Sequence, residues 1–165
     1  KPMIDYHATP KREPIVVTIE KTGNNTSDPI LEQGQNYLNQ LAALQMSIEN
    51  PEILGNLYDI SASLTQLLTL LKEEPEKYQS VRKLMNFSLP TTIRLLESYI
   101  NLSAQPVKGE NIISSMNKIE EMSAMVANTF RKELDSLYHD RSLGIEVDIE
   151  VMEQILNQDD FDLKL

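Results

Sequence analysis

Apolar side chains recur every three or four residues through most of the chain after Asp28, and this spacing constrains the fold more than any other feature. In the first such segment the spaced residues are Ile30, Tyr37, Leu41, Leu44 and Ile48. Because side chains three or four positions apart share one face of an α-helix, the pattern predicts amphipathic helices. Such a chain folds by packing the apolar stripes of its helices against one another.

Prolines mark where these helices begin. Asp28-Pro29 and Asn50-Pro51 each combine an N-cap residue with proline at the first helical position. Glu74-Pro75 ends the second helix and starts a short third one. Leu89-Pro90 interrupts that helix, because proline lacks an amide hydrogen and disturbs a helix interior. The sequence therefore predicts either two helices or one sharply bent helix around Pro90.

The second helix has the broadest apolar stripe, which predicts a central place in the bundle. After a loop at residues 105–109, the longest helix is predicted from Glu110 to about Leu143, with Gly144 as its C-cap. A last short helix is predicted from Asp148, and its apolar residues are Val151, Met152, Ile155 and Leu156. The fold class is therefore all-α: an antiparallel bundle of about four to six helices in one domain, residues 28–165.

Residues 1–27 lack helical periodicity and contain three prolines and a polar run. They are interpreted as a linker or an extended N-terminal arm. Within them, Ile15–Ile19 is a β-branched run that predicts a short strand or an extended segment. With no second strand in view, this segment is expected to dock on another chain or in a groove.

Composition excludes several classes of function. The chain has 165 residues, no cysteine and a formal net charge of −10. Without cysteine there is no disulfide, no thiolate nucleophile and no cysteine-ligated metal. The acidic balance argues against nonspecific binding to nucleic acid or to anionic lipid, since both require a basic surface. No cofactor is expected.

No segment of the sequence is apolar over the length needed to cross a bilayer. The first residue is Lys1 rather than methionine. We therefore expect the chain to be a fragment, with room for a membrane anchor upstream of it.

The segment after the predicted joint reads Leu89-Pro90-Thr91-Thr92-Ile93-Arg94-Leu95-Leu96-Glu97-Ser98-Tyr99. It resembles the signature of the XpaC-like family, which is named for 5-bromo-4-chloroindolyl phosphate hydrolysis. Two further matches precede this segment, at Pro75–Tyr78 and Val81–Leu84. Four more come after it, at Gln105–Val107, Glu110–Ile112, Ile119–Glu121 and Asp148–Val151. The resemblance covers roughly Glu52 to the C-terminus. The chain departs from the family at Asn86-Phe87-Ser88, where Phe and Ser occupy positions that are commonly both Tyr.

The resemblance implies more than the residues do alone. Family members are similar in having membrane-spanning segments before the helical part, which implies a domain on the cytoplasmic side of the membrane, anchored by an upstream segment. Members often belong with TelA-like tellurite-resistance proteins, so a protein of that kind is an implied partner.

A basic cluster is the candidate site that the sequence offers. It comprises Lys77, Arg82, Lys83, Thr91, Thr92 and Arg94. If a new helix begins at Pro90, free backbone amides in its first turn would bind an anion or an acidic partner together with these side chains. The alternative is that the cations balance nearby glutamates on solvated faces while threonine only caps the helix.

No residue is assigned a catalytic role, and no metal site is expected. The densest carboxylates, Asp159, Asp160 and Asp162, lie in a tail with nothing rigid to position them. The leading interpretation is a noncatalytic helical interaction domain. One alternative is a hydrolase of phosphate monoesters, with Arg82 and Arg94 as phosphate clamps. Another is a homo-oligomer formed through the long helix.

Overall fold

The computed structural model describes residues 17–24 and 27–163, with side chains up to Asp159. The described part is all-α, as predicted. Its helices, in chain order, are α1 (Asp28–Ser47), α2 (Pro51–Glu73), a 3₁₀ turn (Pro75–Lys77), α3 (Tyr78–Lys83), a π turn (Leu84–Ser88), α4 (Leu89–Ser103), α5 (Glu110–Ser136) and α6 (His139–Leu163). α3, the π turn and α4 form one uninterrupted helical path. Counted in this way, the described residues contain five helices.

Four helices form a ring in the order α1, α2, α5, α4. The residue numbers of the contacting pairs increase together along α2 and α5, since Asn56 bonds Ser123 and Asp59 bonds Arg131. These two helices are therefore parallel. In contrast, Tyr99 bonds Glu120 while Thr92 lies against Met122, so α4 and α5 are antiparallel.

The pair α1 and α2 is also antiparallel, because Gln45 bonds Ser61 and Gly34 lies against Leu68. The prediction of antiparallel neighbours thus holds for two sides of the ring. The other two sides pair parallel helices, because the path from α2 to α4 crosses the ring instead of joining adjacent positions.

The helix start predicted at Asn50-Pro51 is confirmed. The Asn50 side-chain oxygen accepts hydrogen bonds from the amides of Glu52 and Ile53 at 2.9 and 3.1 Å. From there α2 presents eight apolar residues to the core, each at most 2% exposed. They are Ile53, Leu57, Ile60, Leu64, Leu67, Leu68, Leu70 and Leu71. The broad apolar stripe therefore identifies the central helix correctly.

The joint around Pro90 is a π turn inside a continuous helix. The Leu89 amide bonds the carbonyl of Leu84, five residues back. This wider turn inserts one extra residue between Met85 and Leu89, and both of these side chains stay fully buried. A π turn accommodates a proline one position later, because the ring needs space beside the preceding turn. The structure therefore has one continuous helical path here instead of the two separate helices that the sequence also allowed.

The end of the long helix was placed wrongly by the sequence. α5 ends at Ser136, and α6 runs through Gly144 instead of starting near Asp148. The carbonyl of Leu137 would accept from residue 141 in a continuous helix. Instead it accepts a 2.6 Å hydrogen bond from the Lys77 ammonium. That long-range contact fixes the break between α5 and α6.

The described part of the arm, residues 17–24, lies on α1 and belongs to no sheet. The Gln35 side chain accepts from the amide of Ile19 at 2.8 Å and donates to the carbonyl of Val17 at 2.9 Å. The side chain of Ile19 packs on the core. Val17–Ile19 is thus an extended segment held within its own chain. Ile15 and Val16 of the predicted strand lie outside the described residues.

Hydrogen bonds tie the end of the described arm to the start of α1. The Asp28 carboxylate accepts hydrogen bonds from the backbone amides of Thr22 and Gly23 at 2.8 and 3.0 Å. The bond from the Thr22 amide is the main cause that lowers the pKa of Asp28. Gly23 has φ +80°, a conformation that favours glycine. The predicted cap residue Asp28 is therefore inside the helix and holds the preceding loop, while Ser27 occupies the cap position.

Candidate functional site

Lys77, the first residue of the predicted basic cluster, is engaged within the fold. Its ammonium lies 3.4 Å from Glu74 and donates to the Leu137 carbonyl, and its side chain is only 14% exposed. A cation bound this way joins the end of α2 to the end of α5. The structure therefore places Lys77 in a structural contact.

The two threonines differ in accessibility. Thr92 is buried, and its hydroxyl donates to the Ser88 carbonyl at 2.7 Å. Thr91 is half-buried and accepts a hydrogen bond from Arg94 at 3.2 Å. Because Ser88 is itself helical, α4 continues the preceding turn and does not open with free amides. The anion-binding first turn on which the prediction relied is not formed here.

Arg82, Lys83 and Arg94 are exposed, and the described residues supply no ion pair to any of them. Arg82 and Arg94 are twelve positions apart on one helical path, which corresponds to about 18 Å along the axis. The role of this basic row in binding an anion or an acidic partner stays a prediction.

Polar side chains connect the π turn to α1. Gln33 donates to Asn86 at 3.1 Å and to Tyr37 at 3.2 Å, and Asn86 donates to Tyr78 at 3.1 Å. Beside them Phe87 is 63% exposed. The family departure at residues 86–88 therefore falls on the π turn, where Asn86 is part of a hydrogen-bond chain and Phe87 faces outward.

A second polar group lies where the α1–α2 loop, α4 and α5 meet. Glu120 accepts from the Tyr99 hydroxyl at 2.9 Å and from the Asn50 amide at 3.0 Å. Burial raises the pKa of the Tyr99 hydroxyl, and the bond to Glu120 acts in the same direction. The Tyr99 hydroxyl and the Glu120 side chain satisfy each other here, so this group fixes α4 and α5 in place.

Charged residues also hold the first turn of α6 on the bundle. The Arg141 guanidinium donates to Glu74 at 2.6 Å and to Glu73 at 3.4 Å. It also lies 5.3 Å from the centre of the Tyr138 ring. We call Glu73, Glu74, Lys77 and Arg141 the ionic clasp. Sequence reasoning missed it, because its members come from segments more than 60 residues apart.

The ionic clasp shifts the pKa of the Glu74 carboxyl. Partial burial opposes ionisation of Glu74, but the hydrogen bond and charge of Arg141, with the charge of Lys77, outweigh it. The pKa of Glu74 is therefore lowered. The same contacts raise the pKa of the Arg141 guanidinium, mainly through its hydrogen bond to Glu74.

Beyond its first turn, α6 forms no extended packing with any other described element. Every side chain described in α6 is exposed. Eight of them are large and apolar, with exposures from 46 to 59%: Leu143, Ile145, Val147, Ile149, Val151, Met152, Ile155 and Leu156. The apolar residues after Asp148 were predicted to form a short last helix of the bundle. They instead line an uncovered helix of 25 residues.

No metal site emerges from the described part of the chain, where no group of three His, Asp or Glu side chains is arranged to hold an ion. Of the acidic tail considered above, the side chains of Asp160 and Asp162 lie outside the described residues. A shallow groove on α5 is lined by Glu110, Ile113, Ser114, Asn117, Lys118 and Glu121. None of the predicted basic residues faces it.

Within residues 17–24 and 27–163, none of the helices is both long and apolar enough to span a bilayer. This agrees with the hydropathy of the sequence.

Comparison with known proteins gives one family. No curated protein and no solved structure matches the chain significantly. The family model of the 5-bromo-4-chloroindolyl phosphate hydrolysis protein matches residues 18–152. The match starts in the arm and ends within α6. It therefore begins upstream of Glu52, where the resemblance described above begins. Because it covers most of the 165 residues, the chain belongs to the XpaC-like family of 5-bromo-4-chloroindolyl phosphate hydrolysis proteins.

Proposed function

We propose that this chain is a noncatalytic helical interaction domain and that α6 is its docking element. The observation that carries the proposal is the exposure of eight large apolar side chains on one ordered helix. Exposed apolar surface of this extent marks interaction sites on folded proteins. Burying one such side chain contributes about 1.5–3 kcal/mol when it is fully exposed beforehand, and roughly half of that here.

The charge of α6 defines the chemistry of its partner. From Asp140 to Asp159 the helix carries six carboxylates and one guanidinium. A partner helix with an apolar stripe flanked by lysine or arginine complements both features. A second copy of α6 would bring the same negative charge against it. We therefore favour basic amphipathic helices of another protein.

The cellular setting of the proposal comes from the family resemblance. It supports a protein that is anchored in the membrane by an upstream segment, with this domain on the cytoplasmic side. It also supports a TelA-like protein as the partner. In this arrangement the bundle holds α6 at one end through the ionic clasp, and the partner covers its apolar surface.

The test is a calorimetric titration of the chain with a purified TelA-like protein from the same organism. The variant Ile149→Gln/Leu156→Gln places two polar side chains on α6, and we expect it to bind about 10- to 100-fold more weakly. The control Met125→Gln makes the same kind of change at an exposed apolar position of α5, and it should bind like the unaltered chain. Equal affinities for all three proteins would contradict a docking role for α6.

The proposed attraction between acidic α6 and a basic partner is tested separately, through the rate and salt dependence of association. Replacing Glu146, Glu150 and Glu153 together by glutamine removes charge but leaves the apolar residues of α6 unchanged. We expect slower association and a smaller dependence on salt, because steering by opposite charges is screened by ions. Unchanged salt dependence would argue against a basic partner.

The family description favours one other candidate function, a phosphate monoester hydrolase. In that case the basic row of Arg82, Lys83 and Arg94 would bind the phosphate, together with Thr91. Hydrolysis of the indolyl phosphate is measured with a chelator and with added magnesium, manganese or zinc. Activity that Arg82→Ala/Arg94→Ala abolishes would favour the hydrolase and overturn the noncatalytic proposal.

A further inference from the structure

The apolar residues of α6 form two separate stripes. At about 100° per residue, the first stripe occupies an arc of about 60° and keeps a four–three–four spacing. Its members are Ile145, Ile149, Met152 and Leu156. This spacing is that of a seam between two nearly aligned helices.

The second stripe lies on the opposite side of the same helix. It repeats every four residues, through Leu143, Val147, Val151 and Ile155. It turns through an arc of about 120°, and its centre is about 150° from that of the first stripe. Both stripes are uncovered to the same degree, with exposures of 53–59% in the first and 46–57% in the second.

Acidic side chains separate the stripes on both sides. Glu146, Glu150 and Glu153 lie along one boundary, and Asp148 and Asp159 lie along the other. A helix that is apolar on two opposite sides is buried by neighbours on both of them. One partner helix can cover only one stripe.

The chain itself has no surface that matches these stripes. Outside α6, the large apolar residues that are exposed in the described part are scattered, and only two of them share a helix, where they are twelve positions apart on α5. They are Met46, Phe87, Val107, Ile113 and Met125. Therefore neither this chain's bundle nor the bundle of a second copy offers an apolar face long enough to cover a stripe of α6. Pairing two α6 helices would cover one stripe each and would bring acidic boundaries together.

We infer that α6 binds as a central helix between two helices of a partner protein, each with an apolar face bordered by lysine or arginine. This inference rests on the proposed docking function and adds the architecture of the complex. The negative boundaries of α6 then meet basic residues on both sides, and the two stripes are buried together. The partner presents a helical hairpin or a groove between two helices, not a single helix or a flat lipid surface.

The absence of cysteine allows a direct test, because each introduced thiol is the only one in this chain. Ile149→Cys reports on the first stripe and Val151→Cys on the second, at almost the same height along the helix. Met125→Cys is the control, on an exposed position of α5. Maleimide labelling rates are compared between the purified chain and an extract of source cells that produce the protein at its native level.

We expect both α6 thiols to react at least about tenfold more slowly in the extract, while Met125→Cys is unchanged, because buried thiols are inert. Protection of only one α6 thiol would overturn the central-helix arrangement but leave the docking function intact. Protection of neither would overturn both.

Two further measurements would identify other molecules that cover α6. Protection that grows with concentration in the purified chain would mean self-association. Protection of one thiol by vesicles of phosphatidylglycerol would mean a lipid surface. Either result would overturn the inference.

Discussion

α2 and α6 are alike in sequence and opposite in structure. α2 has 23 residues and α6 has 25, and both are rich in large apolar residues of the kind that form cores. Eight of those in α2 are at most 2% exposed, whereas the eight whose side chains are described in α6 are at least 46% exposed. The difference shows that apolar content determines how much surface a helix must bury, whereas neighbouring elements determine where it is buried. α2 is covered within the chain, whereas no described element of the chain covers the apolar residues of α6.

The largest expected effect comes from truncating the same side chain in each helix. Leu64→Ala in α2 removes a fully buried side chain, and it should lower the free energy of unfolding by about 2–5 kcal/mol. Leu156→Ala in α6 should change it by no more than about 0.5 kcal/mol. Urea unfolding of both purified variants measures the contrast. A large loss in Leu156→Ala would mean that α6 is packed in solution and would break the comparison.

Glycine substitutions sharpen the comparison at the α1–α2 contact. A methyl group at Gly34 would collide with the side chain of Leu68, which is fully buried. Gly34→Ala should therefore destabilise the chain by about 1–3 kcal/mol despite its better helix propensity. Gly55→Ala in α2 is the control, since nothing lies near that position, and it should stabilise by up to about 1 kcal/mol. Equal effects at the two sites in thermal unfolding would show that α1 and α2 pack less closely.

A smaller and local effect is expected at the ionic clasp. Arg141→Gln removes the charge that joins the first turn of α6 to Glu73 and Glu74. Because the guanidinium is partly exposed, the global free energy of unfolding should change by less than about 1 kcal/mol. Amide hydrogen exchange should nevertheless become faster in residues 139–145 and remain unchanged in α2. Exchange that stays slow in Arg141→Gln would show that other contacts orient α6.

The pH dependence of the clasp gives the smallest effect. The pKa of Glu74 lies below its ordinary value of 4.5 in the folded chain. Its contribution is therefore complete above pH 4.5 and is lost as the pH falls through the lowered pKa. The carboxyl carbon shift of Glu74, followed by NMR, should titrate below pH 4.5 in the unaltered chain. In Arg141→Gln the midpoint should rise; an unmoved midpoint would mean that Arg141 does not hold the carboxylate.

Local signals in the sequence predicted most of the bundle. The Asn50-Pro51 start, the stripe of α2 and the all-α class depend on residues a few positions apart, and the structure confirms them. The end of α5 was wrong because it depends on Lys77, which is 60 residues away from the carbonyl that it binds. Gly144 has the residue type of a C-cap, but α5 ends earlier, at Ser136, next to the Leu137 carbonyl that Lys77 binds.

The candidate site was harder to predict than the fold. Lys77 and Thr92 have the residue types of an anion site, but one is bound within the fold and the other is buried. Their partners are distant in sequence or hidden by the π turn, so composition could not reveal them. For α6 the apolar spacing was visible, but spacing alone does not say whether the covering surface belongs to the same chain.

The parallel pairing of α2 and α5 has an electrostatic consequence. The peptide dipoles of two parallel helices add, and each C-terminal end carries the equivalent of about half a negative charge. Both ends lie where Lys77 donates to the last turn of α5 and lies beside Glu74. Arg141 adds a second positive charge at the same end. In a chain of net charge −10, these two cations offset the partial negative charge of the two helix ends at the point from which α6 departs.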